Sequence, residues 1–157
     1  MPSYRDPFSV PSGCTNHRVR QLMRSVGLIY EAHLHDADMR ITQYTLLSHV
    51  LAAGPVRPVD LARLMRMDAS TLTRNIKPLV DAGWVRMGQG ENQRSRLVHI
   101  TDAGRTQREE AKQRWKIAQG ELNARLGAER VAALHGLIDE CLALLDGGGE
   151  GAAGRPG

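Results

Sequence analysis

Apolar residues recur along this chain at two periods, and the change between them divides it into parts. Val19, Leu22, Met23, Val26, Ile29 and Tyr30 return every three or four residues, the spacing of one helical face, so a helix of roughly five turns is predicted over residues 15–35. Thr42 suits the N-cap of a second helix that carries Tyr44, Leu47 and Leu51 and stops at Gly54-Pro55. Pro58 and Asp60 fit the first turn of a third helix about two turns long, with Leu61, Leu64 and Met65 facing inward. After Arg66-Met67, Asp68 can cap a fourth helix and Gly83 can close it in the left-handed conformation. The period then falls to two. Residues 84–87 and 96–100 read as strands around a glycine-bearing tip at 88–95. Thr101 caps a long helix with Ala111, Trp115, Ala118, Leu122 and Leu126 on one face, Gly127 breaks it, and a last helix aligns Val131, Leu134, Ile138, Cys141, Leu142 and Leu145.

The fourth helix has two committed faces. Leu72, Ile76, Leu79 and Val80 form an apolar stripe, while Ser70, Thr73, Arg74 and Lys77 share the same offsets on the other side. Two hydroxyls and two cations are the residue types that meet phosphates and base edges, although an isolated helix with such a face could equally be solvated. Its neighbours decide between the two. A short helix joined to it by a tight turn is the geometry of a helix-turn-helix, and a basic hairpin directly after it makes a winged helix. In that arrangement the fourth helix enters the major groove and Arg94 at the hairpin tip reaches a minor groove. Pro78 deletes one helical hydrogen bond, so the first two turns are expected to be regular and the last to bend. The predicted fold is mainly α with a small β-hairpin wing, a winged helix-turn-helix flanked by dimerisation helices. The first and last two helices carry more apolar stripe than a small winged helix can cover, and a second chain is the expected cover.

Composition narrows the class. At 157 residues, 41% hydrophobic and 24% charged, the chain is globular and has the length of one domain. The expected division is a flexible arm over 1–14, one domain over 15–145 and a disordered glycine-rich tail over 146–157. Within that domain, 15–36 and 102–145 supply the dimerisation helices and 42–101 the winged helix-turn-helix. Residues 54–101 hold eight lysines and arginines against four acids, an excess equal to the formal +4 of the whole chain. That concentration favours a polyanionic partner. No apolar run reaches the roughly 18 residues of a membrane span, and MPSYRDPFSVPSG lacks a signal peptide's apolar core, so a cytoplasmic protein is expected. Cys14 and Cys141 lie far apart with no CxxC pair and read as thiols, Cys141 on an apolar stripe as core.

In order and spacing, these parts resemble the MarR family of bacterial transcription regulators over about residues 15–145. The residues that carry the resemblance are Leu61-Ala62, Ser70-Thr71-Leu72-Thr73-Arg74, Leu79 with Gly83, Arg94-Ser95-Arg96 and Thr101-Asp102-Ala103-Gly104. The resemblance implies a homodimer that binds a pseudo-palindromic operator in double-stranded DNA and usually represses, and that is released by a small aromatic acid or similar compound. Carried over residue by residue, it makes Ser70 and Thr71 hydroxyl positions at the helix start, Thr73, Arg74 and Lys77 groove-facing, and Arg86, Arg94 and Arg96 the wing candidates. Arg74 is the candidate for base readout because its planar fork matches guanine N7 and O6, whereas Lys77 suits a phosphate. The family's wing commonly has an aspartate two residues before its arginine. Here that position is Asn92, which can accept a hydrogen bond but brings no charge.

For sensing, Tyr30, His33 and Tyr44 are candidates to line a pocket for an aromatic acid, with Arg20 as its anion partner. A stacked core or interface role is the competing reading. Cys14 precedes the first helix, where the helix dipole and Arg18 would favour a thiolate like that of the family's oxidant sensors, against the simpler reading of an inert thiol. His33, His35, Asp36 and Asp38 share no helical face, so no metal is expected, and no cofactor either. No nucleophile with a base, carboxylate pair or phosphate-cradling loop stands at interpretable spacing, so the chain does not read as an enzyme. The reading furthest from a regulator is a winged-helix protein-interaction module with no operator.

Overall fold

Side-chain caps written into the sequence set the starts of the fourth and fifth α-helices, at Asp68 and Thr101. The computed structural model describes residues 13–92 and 95–147. Its order is α1 (Thr15–Leu34), a 3-10 turn (His35–Ala37), α2 (Ile41–Ala53), α3 (Pro58–Leu64), α4 (Ala69–Asp81), β1 (Val85–Gln89), β2 (Arg96–Ile100), α5 (Asp102–Leu126) and α6 (Ala128–Gly147). The fold is therefore mostly helical with one antiparallel hairpin, as the change of period predicts. Most of the expected N-terminal arm, the tail from 148 onward, and Arg94 fall outside the described residues.

α4 shows how locally its bounds are fixed. The Asp68 carboxylate accepts the Thr71 amide at 2.7 Å and closes the first turn. At the other end the Trp84 amide reaches the Leu79 carbonyl and the Gly83 amide reaches Val80, a Schellman pair that requires the φ of +75° at Gly83. Pro78 lies inside the helix, which runs on to Asp81. One boundary differs from expectation: Thr42 is not the N-cap of α2. Arg40 takes that position, its amide bonded to Gln43 Oε1 at 2.9 Å and the next amide, of Ile41, to Glu31 Oε1 at 3.1 Å. Side chains from α1 and from the helix itself satisfy the open amides, so no hydroxyl is needed there.

The core lies where α2, α3, α4, α5 and the hairpin meet. Leu34, Leu46, Leu47, Val50, Leu61, Leu72, Leu79 and Val98 are fully buried, each contributing about 1.5–3 kcal/mol of transfer free energy. Ala62 is buried beside Leu61, but Leu64, expected inward, is exposed, as is Val80 at the edge of the α4 stripe. Both sit at the margin of an apolar arc whose centre faces the core, which spacing alone does not resolve. Cys141 is also exposed within the chain, correcting its expected place in the core, because the stripe it belongs to on α6 is buried only at its start, at Val131, and is open around Ile138, Cys141 and Leu145. The β1–β2 register pairs Val85 with Ile100 and Gln89 with Arg96. Val56, between α2 and α3, exchanges two backbone hydrogen bonds with Val98 and pins the base of the hairpin to the helices. The start of α5 is tied in as well: Thr101 Oγ1 accepts the Gly104 amide and approaches the Gly83 and Trp84 carbonyls at 2.6 and 3.1 Å. A Cβ on Gly104 would stand 2.0 Å from the Trp84 carbonyl oxygen, so only glycine lets α5 pack this closely against the wing.

Candidate nucleic-acid interface

α4 turns its apolar stripe to the core and leaves Ser70, Thr73, Arg74 and Lys77 exposed together, with Thr71 half-buried at the first turn. The hydroxyls are not idle. Ser70 Oγ donates to Asp68 Oδ1 at 2.6 Å, Thr71 Oγ1 donates to Asp68 Oδ2 at 2.7 Å, and Thr73 Oγ1 donates to the Ala69 carbonyl at 2.9 Å. The bonds from the Ser70 hydroxyl, foremost, and from the Thr71 amide and hydroxyl hold the Asp68 carboxyl far below the usual carboxylate range. Lys77 pairs with Asp81 at 2.7 Å on an open surface, a contact of little net strength that a phosphate can displace. Arg74 has no carboxylate within ion-pair distance among the described residues. Its Nη2 lies 3.4 Å from Thr71 Oγ1.

Arg40 enters this surface unannounced by the sequence reading. It lines, with Thr42, Gln43, Arg74, Asn75 and Pro78, an open cavity of about 410 Å³ between the start of α2 and the outer face of α4. Its position just before an apolar-periodic segment marked it as a helix flank, but no local spacing reveals that this flank meets α4.

On the wing, Arg86 and Arg96 are both exposed, yet the register places them on opposite faces of the hairpin: Arg86 pairs with His99, whereas Arg96 pairs with Gln89 on the face that also bears Val85 and Val98. The tip is closed through Asn92, whose Oδ1 accepts the Ser95 amide at 2.9 Å while its carbonyl accepts Ser95 Oγ at 3.1 Å. Asparagine thus supplies the turn with an acceptor without the charge of the family's aspartate.

Of the four candidates for a ligand pocket, Tyr30, His33 and Tyr44 all meet α5, whereas Arg20 stands apart. Arg20 is exposed and bonds Asn16 at 3.2 Å, about 15 Å along α1 from Tyr30 by helical rise. Tyr30 donates to Gln119 Oε1 at 2.5 Å, its phenol pKa raised by burial, and His33 Nε2 meets Glu121 at 2.6 Å, which together with Arg125 lowers the pKa of that carboxyl. Both therefore clasp α1 to α5. Tyr44 stacks on Trp115 with centroids 6.1 Å apart, and the Arg108 guanidinium lies 5.7 Å from the Tyr44 centroid. Arg108 is the cation the sequence reading missed. It precedes Trp115 by seven residues on α5, two helical turns, a spacing that puts both on one helical face but does not show that the face meets Tyr44. Cys14 is exposed at the N-cap of α1, with no cap bond from its side chain.

Comparison with known proteins agrees with this geometry. A model of the MarR family matches residues 37–95, which span α2 to the wing. The multiple antibiotic resistance protein MarR of Escherichia coli K12 is 31% identical over 148 residues, covering 90% of this chain and 99% of that protein. YwoH of Bacillus subtilis, an HTH-type transcriptional regulator, is 29% identical over 94 residues, covering 60% of this chain and 69% of its own. Among solved structures, a mutant of Escherichia coli MarR complexed with operator DNA superimposes with a TM-score of 0.74 at 26% identity, covering 81% of this chain and 92% of that one. The PcaV regulator of Streptomyces coelicolor, in complex with its natural ligand, shares the fold with a TM-score of 0.75 at 19% identity, covering 86% of this chain and 96% of that one. The chain belongs to the MarR family of DNA-binding transcriptional regulators.

Proposed function

We propose that this protein is a homodimeric repressor that reads a pseudo-palindromic operator in double-stranded DNA with α4 in the major groove and leaves it when a small aromatic acid binds. The observation that carries this reading is the exposed outer face of α4, where Arg74 stands without a carboxylate partner among the described residues while the apolar face of the same helix is locked into the core. Arg74 and Thr73 face base edges, Lys77 a phosphate, and Ser70 and Thr71 complete the surface at the helix start. Arg86, Arg94 and Arg96 extend it along the wing; since Arg86 and Arg96 occupy opposite faces, one of them follows the backbone while the other stays solvated. The apolar faces of α1 and α6 close against a second copy. The Tyr44–Trp115 stack with Arg108 above it offers an aromatic acid both a ring surface and a counter-charge. The protein acts in the cytoplasm, where its DNA is.

Salt titration of DNA binding tests the reading. A dimer that neutralises several phosphates loses roughly 10³- to 10⁵-fold in affinity between about 50 and 200 mM salt. An affinity flat with salt would instead favour a protein-interaction module. Within the interface, Arg74→Ala is expected to lower discrimination between the preferred duplex and a base-substituted one by about 1–3 kcal/mol. Lys77→Ala should weaken all duplexes alike and reduce the salt slope by about one.

A further inference from the structure

We propose that Thr71 is a positioning residue for Arg74: its hydroxyl, held by Asp68, presents an acceptor that aims the guanidinium at a base edge, and it acts through Arg74 rather than on the DNA itself. The proposal rests on the reading of α4 as the recognition helix and assigns a role within that surface.

The direction of the hydrogen bonds carries it. A threonine hydroxyl has one hydrogen and two lone pairs. Here the hydrogen points to Asp68 Oδ2 at 2.7 Å, a carboxylate that also takes the Thr71 amide and the Ser70 hydroxyl and is kept ionised by them. The outward part of Thr71 Oγ1 is therefore lone pair, which attracts a guanidinium and repels a phosphate. Arg74 Nη2 sits on that side at 3.4 Å, one helical turn further along. Helical side chains lean toward the N-terminus, so a residue at i+3 is carried back over the one at i. The charge of Asp68 lies beyond Thr71 in the same direction. Each influence moves Arg74 toward Thr71.

A long side chain already confined before binding loses less rotamer freedom on contact, a difference worth roughly two- to tenfold in affinity for each immobilised side chain. The gain falls only on the duplex whose base edge lies where the guanidinium is aimed, so it appears as discrimination. Carboxylate, hydroxyl and guanidinium form a relay in which the first two never need to touch DNA.

Two duplexes test this: one enriched by the wild-type protein from a random-sequence library, and a scrambled version of it. Thr71→Val removes the hydroxyl and keeps both the shape and the capping amide, with Thr71→Ala as a second route to the same loss. The ratio of affinities for the two duplexes is expected to fall roughly three- to tenfold in each variant and to return with Thr71→Ser. In an Arg74→Ala background, Thr71→Val should change the ratio no further, the mark of two residues acting as one unit. Equal weakening on both duplexes would assign Thr71 a direct phosphate contact and overturn the relay. So would an unchanged ratio with a lowered melting temperature, which would leave only a capping role. If the wild-type protein enriches no sequence at all, the DNA-reading assignment of α4 fails with it, whereas enrichment followed by an unchanged ratio in the variants removes the relay alone.

Discussion

The two ends of this chain and its middle treat their apolar stripes in opposite ways. Between α2 and β2 the stripes close on one another, and Leu47, Val50, Leu61, Leu79 and Val98 lose essentially all contact with solvent. In the first half of α1 and along α6 the same kind of stripe stays open: Met23 is 63% exposed, Leu144 78% and Leu145 76%. α1 holds both behaviours, since its last turns bury Tyr30 and Leu34 in the common core, largely against α5. Periodicity states where an apolar face lies on a helix, and both regions obey it. It does not state which chain covers the face. The middle is complete in one copy, whereas α1 and α6 carry a surface that the proposed dimer fills.

The largest expected effect separates the regions directly. Leu79→Ala opens a cavity in the closed core and should cost about 2–5 kcal/mol in denaturant unfolding. Leu144→Ala, on the open face, should cost under about 0.5 kcal/mol when measured at a concentration where the chain is monomeric. Similar costs at both sites would show that the α6 stripe packs within its own chain.

A charge placed on the open stripe tests the cover itself. Ile138→Glu combined with Leu145→Glu should shift the protein from dimer to monomer in sedimentation at micromolar concentration, because two carboxylates per copy would have to be desolvated in the interface. The wild-type melting temperature should rise with protein concentration and that of the double variant should not. A wild-type protein that already sediments as a monomer would remove the comparison's explanation, leaving the exposed stripe of α6 without an occupant.

What could be read from the sequence divides along the same line. Asp68, Gly83 and Thr101 were legible because a cap acts over three or four residues, within one turn of chain. The two-faced character of α4 was legible for the same reason. Leu64 and Val80 were placed inward wrongly because spacing fixes the centre of an arc better than its edges. Cys141 was assigned to a core that this chain does not supply. Arg40 beside Arg74 and Arg108 over Tyr44 join residues more than thirty positions apart, and no local pattern encodes such a meeting. The commitment of Ser70 and Thr71 to Asp68 lies between these cases. An aspartate two and three residues before two hydroxyls is a local signal that marks a cap, but it does not show which way each hydroxyl turns its hydrogen.

Acid titration gives the smallest effect and distinguishes how each region is fastened. Asp68 fastens the start of α4, and Glu121 fastens α5 to α1 through His33; both carboxyls have folded pKa values lowered by their partners. A group with a depressed folded pKa contributes stability that is fully present above its unfolded value, about 4 for these side chains, and that is lost as pH falls through the folded value. Asp68→Asn and Glu121→Gln should each flatten part of the loss of stability below about pH 4. An Asp68→Asn protein with the wild-type acid limb would mean that the carboxylate at the start of α4 accepts its three hydrogen bonds no better when charged, and the fastening of the recognition helix would then rest on its Schellman end and buried leucines alone.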